Sequence, residues 1–99
     1  MTIKMNPDEP FTLVFKEKIT HATVDYSQLV LTEPTVDQVD QAAKKSGGIS
    51  SNATLIALVA KVPEQVVRKM SYRDFTMAMR YLDLFLADGG QTGAIFSPS

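Results

Sequence analysis

The stretch Leu31-Thr-Glu-Pro-Thr-Val-Asp-Gln38 decides the fold, because an extended pattern ends within it and a helical pattern begins. Pro34 disfavours helical dihedral angles at Glu33, so the extended segment should stop there. Thr35 and Gln38 have the spacing of a capping box, in which the Thr hydroxyl accepts from a first-turn amide and the Gln side chain reaches back to the cap. We therefore expect strands before residue 34 and helices after it.

Residues 11–32 have the pattern of a β-hairpin. Large apolar side chains alternate with other residues over 11–15, and a second extended segment covers 21–32. The connecting turn is expected at Glu17–Thr20. The apolar parity of the second segment shifts midway, which predicts a bulge near Ser27-Gln28 or a break into two short strands. One antiparallel hairpin with one face against a core is the expected arrangement.

The remainder of the chain predicts helices, because apolar residues recur at helical spacing between capping and breaking signals. The predicted helices cover about residues 35–45, 52–62, 63–69 and 72–87. The second helix should begin at the capping residues Ser51-Asn52, and it is apolar nearly all round, which predicts a buried central helix. The fold class is thus α+β: an antiparallel hairpin packed on a bundle of three to four helices, in a single domain over 11–88. Residues 1–10 should form a flexible leader and residues 89–99 a flexible tail.

The composition argues against several function classes. Ten Lys and Arg against eleven Asp and Glu give a formal charge of -1, whereas a nucleic-acid binder needs a basic excess for phosphate contacts. The absence of cysteine excludes disulfides and thiolate metal sites. The longest apolar run, Leu55–Ala60, is far shorter than the about 20 residues that span a bilayer. With no signal-peptide pattern at the N-terminus, we expect a soluble cytoplasmic chain without membrane partners.

The sequence offers no catalytic or cofactor-binding constellation. His21 is the one histidine, and no serine lies in a G-x-S-x-G or S-x-x-K motif. Gly47-Gly48 lacks the surroundings of a phosphate-binding loop. Asp37 and Asp40 lie at a helix start, where carboxylates are usually partners of the helix dipole. We therefore predict a protein that is not an enzyme and holds neither cofactor nor metal.

A DNA-binding alternative is a helix-turn-helix over residues 64–80, with several basic residues nearby. Against this alternative, the second helix carries Asp74 and Phe75 early, where base or phosphate contacts should lie. The turn also lacks the frequent glycine.

The last predicted helix is apolar on more than one side. At about 100° per residue, one side forms a core face: Phe75, Ala78, Met79, Leu82, Phe85 and Leu86. A second patch lies roughly opposite: Met77, Tyr81 and Leu84. Two interpretations stay open, namely core packing on two sides or a patch for a partner. Methionine adapts to varied partners and tyrosine often anchors interfaces, so we predict the second patch as partner-binding, for an amphipathic helix or a second copy of the chain.

Three short motifs follow one another along the chain: Leu31-Thr-Glu-Pro-Thr35, Met70-Ser-Tyr-Arg-Asp-Phe75 and Phe85-Leu86. Their order resembles that in the tail assembly chaperone family of contractile-tailed phages, and the resemblance covers residues 11 to 87. The chain departs from the family at the end of the first strand, where Lys18-Ile19 stands in place of Pro-Ile.

The resemblance implies a non-enzymatic chaperone that binds the tape measure protein and keeps it soluble until tail tube subunits polymerise around it. The tube protein is a further partner that the resemblance leaves open, as is a homo-oligomer. It implies the cytoplasm of the bacterial host and absence from the finished virion. A structural tail subunit is the remaining alternative.

Overall fold

The β-hairpin precedes the helices along the chain, as the sequence pattern predicts. The computed structural model describes residues 5–45 and 47–86. Its elements are β1 (Phe11–His21), β2 (Val24–Leu31), α1 (Val36–Ala43), α2 (Gly48–Ala60), α3 (Glu64–Arg68) and α4 (Tyr72–Leu86). The two strands are antiparallel, and one apolar core joins them to the helices. The predicted α+β class is therefore confirmed, while the predicted tail at 89–99 lies outside the described residues.

The hairpin turns at Ala22 and Thr23, whose φ angles of 53° and 64° are both positive. Tight two-residue hairpin loops require this left-handed geometry, although they usually achieve it with Asn and Gly. The predicted turn at Glu17–Thr20 is wrong, because β1 continues through those residues to His21.

A break in register interrupts the hairpin. Regular pairing stops after Val14 and resumes at Ile19, so residues 15–18 stand opposite Ser27 alone. The sequence predicts an irregularity near Ser27-Gln28, and the break does lie there. The extra residues belong to β1, however, and not to β2.

The carboxylate of Asp74 holds this irregular part of β1 against α4. Its Oδ2 atom accepts a hydrogen bond from the backbone N–H of Lys16 at 3.1 Å, and the residue is buried. The Asp74 backbone N–H in turn donates to the hydroxyl of Ser71 at 3.1 Å. One residue thus joins a local helix cap to a contact between distant parts of the chain.

The capping box predicted at the start of α1 is confirmed. Thr35 Oγ1 accepts from the Gln38 N–H at 3.1 Å, and the Thr35 N–H donates to Gln38 Oε1 at 2.9 Å. Gln38 Nε2 also donates to the backbone carbonyl of Leu58 at 3.2 Å. The Gln38 side chain, which completes the capping box with Thr35, therefore also fixes α1 against α2.

Helix α2 begins at Gly48, earlier than the predicted cap at Ser51-Asn52. Gly47 precedes it with a φ of 80°, which favours glycine. Ser51 does not cap the helix, because its hydroxyl donates to the carbonyl of Ala42 at 2.8 Å. The centre of α2 is buried, as its all-round apolar pattern predicts. The helix ends at Lys61, a left-handed residue with φ 60°.

Candidate partner-binding surface

The buried side of α4 is turned relative to the predicted core face. Its buried side chains are Asp74, Phe75, Ala78, Tyr81 and Leu82. This stripe is centred near Ala78, about 45° from the centre that periodicity indicates. Met79, Phe85 and Leu86, which periodicity places in the core face, are only half-buried.

Tyr81 belongs to the core, so the prediction that it contributes exposed surface is wrong. The residue is 1% exposed, and its ring lies between Phe11 and Phe85, with centroid distances of 5.4 Å to each. Its hydroxyl donates to the backbone carbonyl of Glu9 at 2.6 Å. Burial, followed by the nearby charge of Glu33, raises the pKa of Tyr81 above its ordinary value. Glu9, in the segment expected to be a flexible leader, therefore contacts α4 through this hydrogen bond.

Met77 and Leu84, the other two predicted residues, are half-buried and pack against the core. They retain some exposed surface, but Tyr81 no longer connects them into an exposed patch. A partner-binding role for these two side chains stays a prediction.

A larger apolar surface runs along α1, and we call it the α1 groove. It consists of two depressions of about 410 Å³ each, which share Val39, Ala43 and Leu86 as lining residues. Residues of α2 and α4, including Met79, line the first depression, and the segment entering α1 lines the second. Val36, at the mouth of the second depression, is 87% exposed. A single exposed valine is ordinary, but Val36 lines the depression together with Val39, Ala43 and Leu86, and contiguous apolar surface of this kind marks interaction sites.

The α1 groove was not identified from the sequence, although a signal for it exists. Val36, Val39 and Ala43 recur at positions i, i+3 and i+7 of one helix, which places them on one side of α1. Such a stripe normally predicts a buried side. Here α1 packs mainly on α2, and part of the stripe stays uncovered by the described residues.

The charged side chains that line the α1 groove are all acidic: Glu33, Asp40 and Asp83. Asp40 lies 3.6 Å from the ammonium group of Lys44 in an exposed pair. Desolvation by burial raises the pKa of Asp83 above its ordinary value. The groove therefore combines apolar walls with a negatively charged rim.

Within residues 5–45 and 47–86, no group of three or more His, Cys, Asp or Glu residues is placed to hold a metal ion. None of the helices in those ranges is both long enough and apolar enough to cross a membrane. What the α1 groove can do is bind the apolar side chains of another segment and remove them from water.

The family model for "Phage tail assembly chaperone proteins, E, or 41 or 14" matches residues 11–87. The chain belongs to the phage tail assembly chaperone family. The match spans both strands and all four helices, so it covers the fold described above. Comparison with curated proteins and with solved structures gives no match. Membership implies a non-enzymatic role with protein partners in tail assembly.

Proposed function

We propose that this tail assembly chaperone binds the tape measure protein and keeps it soluble in the host cytoplasm while the tail tube assembles. The observation that carries the proposal is the α1 groove, an apolar surface that the described part of the chain leaves uncovered. A long helical client exposes apolar stripes before the tube encloses it. Covering such a stripe requires an apolar groove and no catalytic group.

A groove can bind an amphipathic helix more extensively than a flat surface can, because its two walls contact the helix from both sides. Two adjoining depressions offer successive positions for side chains that recur every turn of a bound helix. Met79 lines the first depression, and a flexible thioether adapts to different side chains. We propose Met77 and Leu84 as a second, smaller contact surface on the other flank of α4.

The test is co-expression of the full chain with the tape measure protein, followed by measurement of the soluble client. Val36→Ser with Ala43→Gln removes apolar surface from the groove, and both positions are exposed, so the fold should survive. We expect this variant to lose most of the soluble client. Val14→Ser with Val24→Ser, at exposed positions of the hairpin, is the matched control and should retain it.

A third variant, Met77→Gln with Leu84→Gln, distinguishes the two surfaces. If it alone abolishes client solubility, the flank of α4 is the binding surface and the groove assignment is wrong. If no variant reduces soluble client while all stay folded by circular dichroism, tape measure binding through either surface is contradicted.

The two alternatives are tested separately. A structural tail subunit would persist in purified virions, where mass spectrometry should instead find this chain absent. The DNA-binding alternative would require contacts from the first turn of α4. Asp74 and Phe75 in that turn are buried, which leaves this part of the helix poorly suited to a phosphate backbone.

A further inference from the structure

The charge of the α1 groove differs from that of the chain as a whole. Acidic and basic residues are nearly balanced overall, eleven against ten. The charged residues lining the groove nevertheless carry one sign: Glu33 and Asp40 at the second depression and Asp83 at the first. An apolar surface with a rim of one sign selects occupants of the opposite charge.

Within the described residues, a nearby cation offsets the charge of one of these three carboxylates. The ammonium group of Lys44 lies 3.6 Å from Asp40, so the uncompensated acidic residues of the groove are Glu33 and Asp83. Among the described residues, no cation lies within 4.0 Å of the carboxylates of Glu33 or Asp83. Asp83 lines the first depression and is exposed, so its carboxylate is accessible to a partner. A cation of a partner protein could therefore pair with Glu33 or Asp83 without breaking an ion pair among the described residues.

We propose that the occupant of the α1 groove is an amphipathic helix of a partner protein whose apolar stripe is flanked by Lys or Arg. The apolar stripe fills the two depressions, and the flanking cations pair with Asp83 at one end and Glu33 at the other. The inference rests on the proposed function for its biological client, because it specifies which segments of the tape measure protein should be bound.

Two other occupants fit the charge less well. Residues 87–99 of this chain contain an apolar run, Ala94-Ile-Phe96, but carry Asp88 and no Lys or Arg. A second copy joined about a two-fold axis would bring the same acidic rim against itself, since such an interface uses one surface twice. The two-fold arrangement places carboxylates together and residues 87–99 offer no Lys or Arg to pair with them, whereas a basic helix neutralises them.

The test uses the full chain and two synthetic helical peptides labelled with fluorescein. The peptides share one stripe of Leu and Met and differ only at the flanking positions, which are Lys in one and Glu in the other; both residues are good helix formers. We expect the Lys peptide to bind about tenfold more tightly or better by fluorescence anisotropy, with a preference that shrinks as salt is raised.

The matched variants separate the groove from the general charge of the protein. Glu33→Gln with Asp83→Asn should remove most of the preference for the Lys peptide. Glu17→Gln with Asp25→Asn makes the same change in net charge at exposed hairpin positions and should leave the preference intact. Equal binding of both peptides, or an undiminished preference in the groove variant, would overturn the inference.

Further outcomes decide between occupants. If Ile95→Ser with Phe96→Ser raises peptide affinity about tenfold, the chain's own segment occupies the groove and the assignment to a partner fails. A dimer in sedimentation that dissociates as peptide binds would assign the groove to a second copy instead.

The co-expression assay keeps this inference distinct from the proposed function. Suppose that the Lys and Glu peptides bind equally well but Val36→Ser with Ala43→Gln still abolishes client solubility. Then only the inference that the groove prefers a basic helix is contradicted, and the proposed function stands. If the charge preference holds while that variant retains full client solubility, the proposed client is wrong and the groove binds another basic helix.

Discussion

Replacing Tyr81 by phenylalanine and by alanine tests whether this residue belongs to the core or to a binding surface. In the structure the Tyr81 ring is buried between Phe11 and Phe85, and its hydroxyl donates to the carbonyl of Glu9. Tyr81→Phe removes only the hydrogen bond. Since Glu9 is exposed and water can replace the lost donor, the cost should be about 1 kcal/mol.

Tyr81→Ala also removes the ring, for which large-to-small core changes indicate a loss of about 3–5 kcal/mol. Small domains have only about 5–15 kcal/mol of stability, so this variant should be marginally folded. For Tyr81→Phe, a loss of about 1 kcal/mol corresponds to a fall in Tm of roughly 4–8 °C in a domain of this size.

Urea unfolding followed by circular dichroism measures both losses, provided that the slope of the transition is unchanged. Limited proteolysis gives a second measurement, because Tyr81→Phe should make the segment preceding β1 easier to cleave. If Tyr81→Ala changes the free energy of unfolding by less than about 0.5 kcal/mol, the ring is a surface group. The burial of the Tyr81 ring would then be refuted, and the result would favour a partner-binding role for Tyr81.

Four further predictions concern single positions. Asp74→Ala should cost about 1–3 kcal/mol in urea unfolding, because the part-buried hydrogen bond from the Lys16 N–H loses its acceptor. Asp74→Asn keeps an acceptor, and an equal loss there would contradict this reason. Lys61→Gly should raise the free energy of unfolding by about 1 kcal/mol, because only the lysine is strained at φ 60°; a loss of stability would show that the lysine side chain matters more than the strain. Thr35→Ala should cost about 1 kcal/mol by removing the α1 cap, and Thr35→Ser should restore most of it. Because burial raises the pKa of Asp83, the folded protein favours the protonated carboxyl, so the contribution of Asp83 to stability is present in acid and is lost as pH rises through the raised pKa. Asp83→Asn should therefore raise Tm at neutral pH but not below about pH 3. A uniform shift of Tm at all pH values would exclude titration of Asp83 as the cause.

The Asp83 prediction also bears on the proposed surface. A carboxylate that weakens the free protein at neutral pH and strengthens binding of a basic helix serves function at the expense of stability. Asp83→Asn should then give a more stable protein with weaker preference for the Lys peptide. A variant that is both more stable and unchanged in binding would separate the two effects.

The fold class was predictable from the sequence because its signals are local. The capping box of Thr35 and Gln38 forms within one turn, and Pro34 acts only on its neighbour, so both operate whatever the rest of the chain does. The apolar character of α2 likewise required burial in any arrangement of the other elements. The order of short motifs indicated the family for the same reason, since it needs no contact between distant residues.

Tertiary structure decided the features that depend on which distant groups meet. Ser51 is a residue type that often caps helices, but its hydroxyl donates a hydrogen bond to the carbonyl of Ala42. Helix α2 begins earlier, at Gly48. Periodicity showed that α4 has more apolar surface than one contact can bury, but it could not show which flank would be covered. Phe11 and Glu9 cover the side of Tyr81, and α1 leaves the side of Leu86 partly open. The α1 groove is therefore the apolar surface that the other described elements leave uncovered. Which surface is left uncovered depends on contacts between residues far apart in the chain, so local sequence patterns could not locate it.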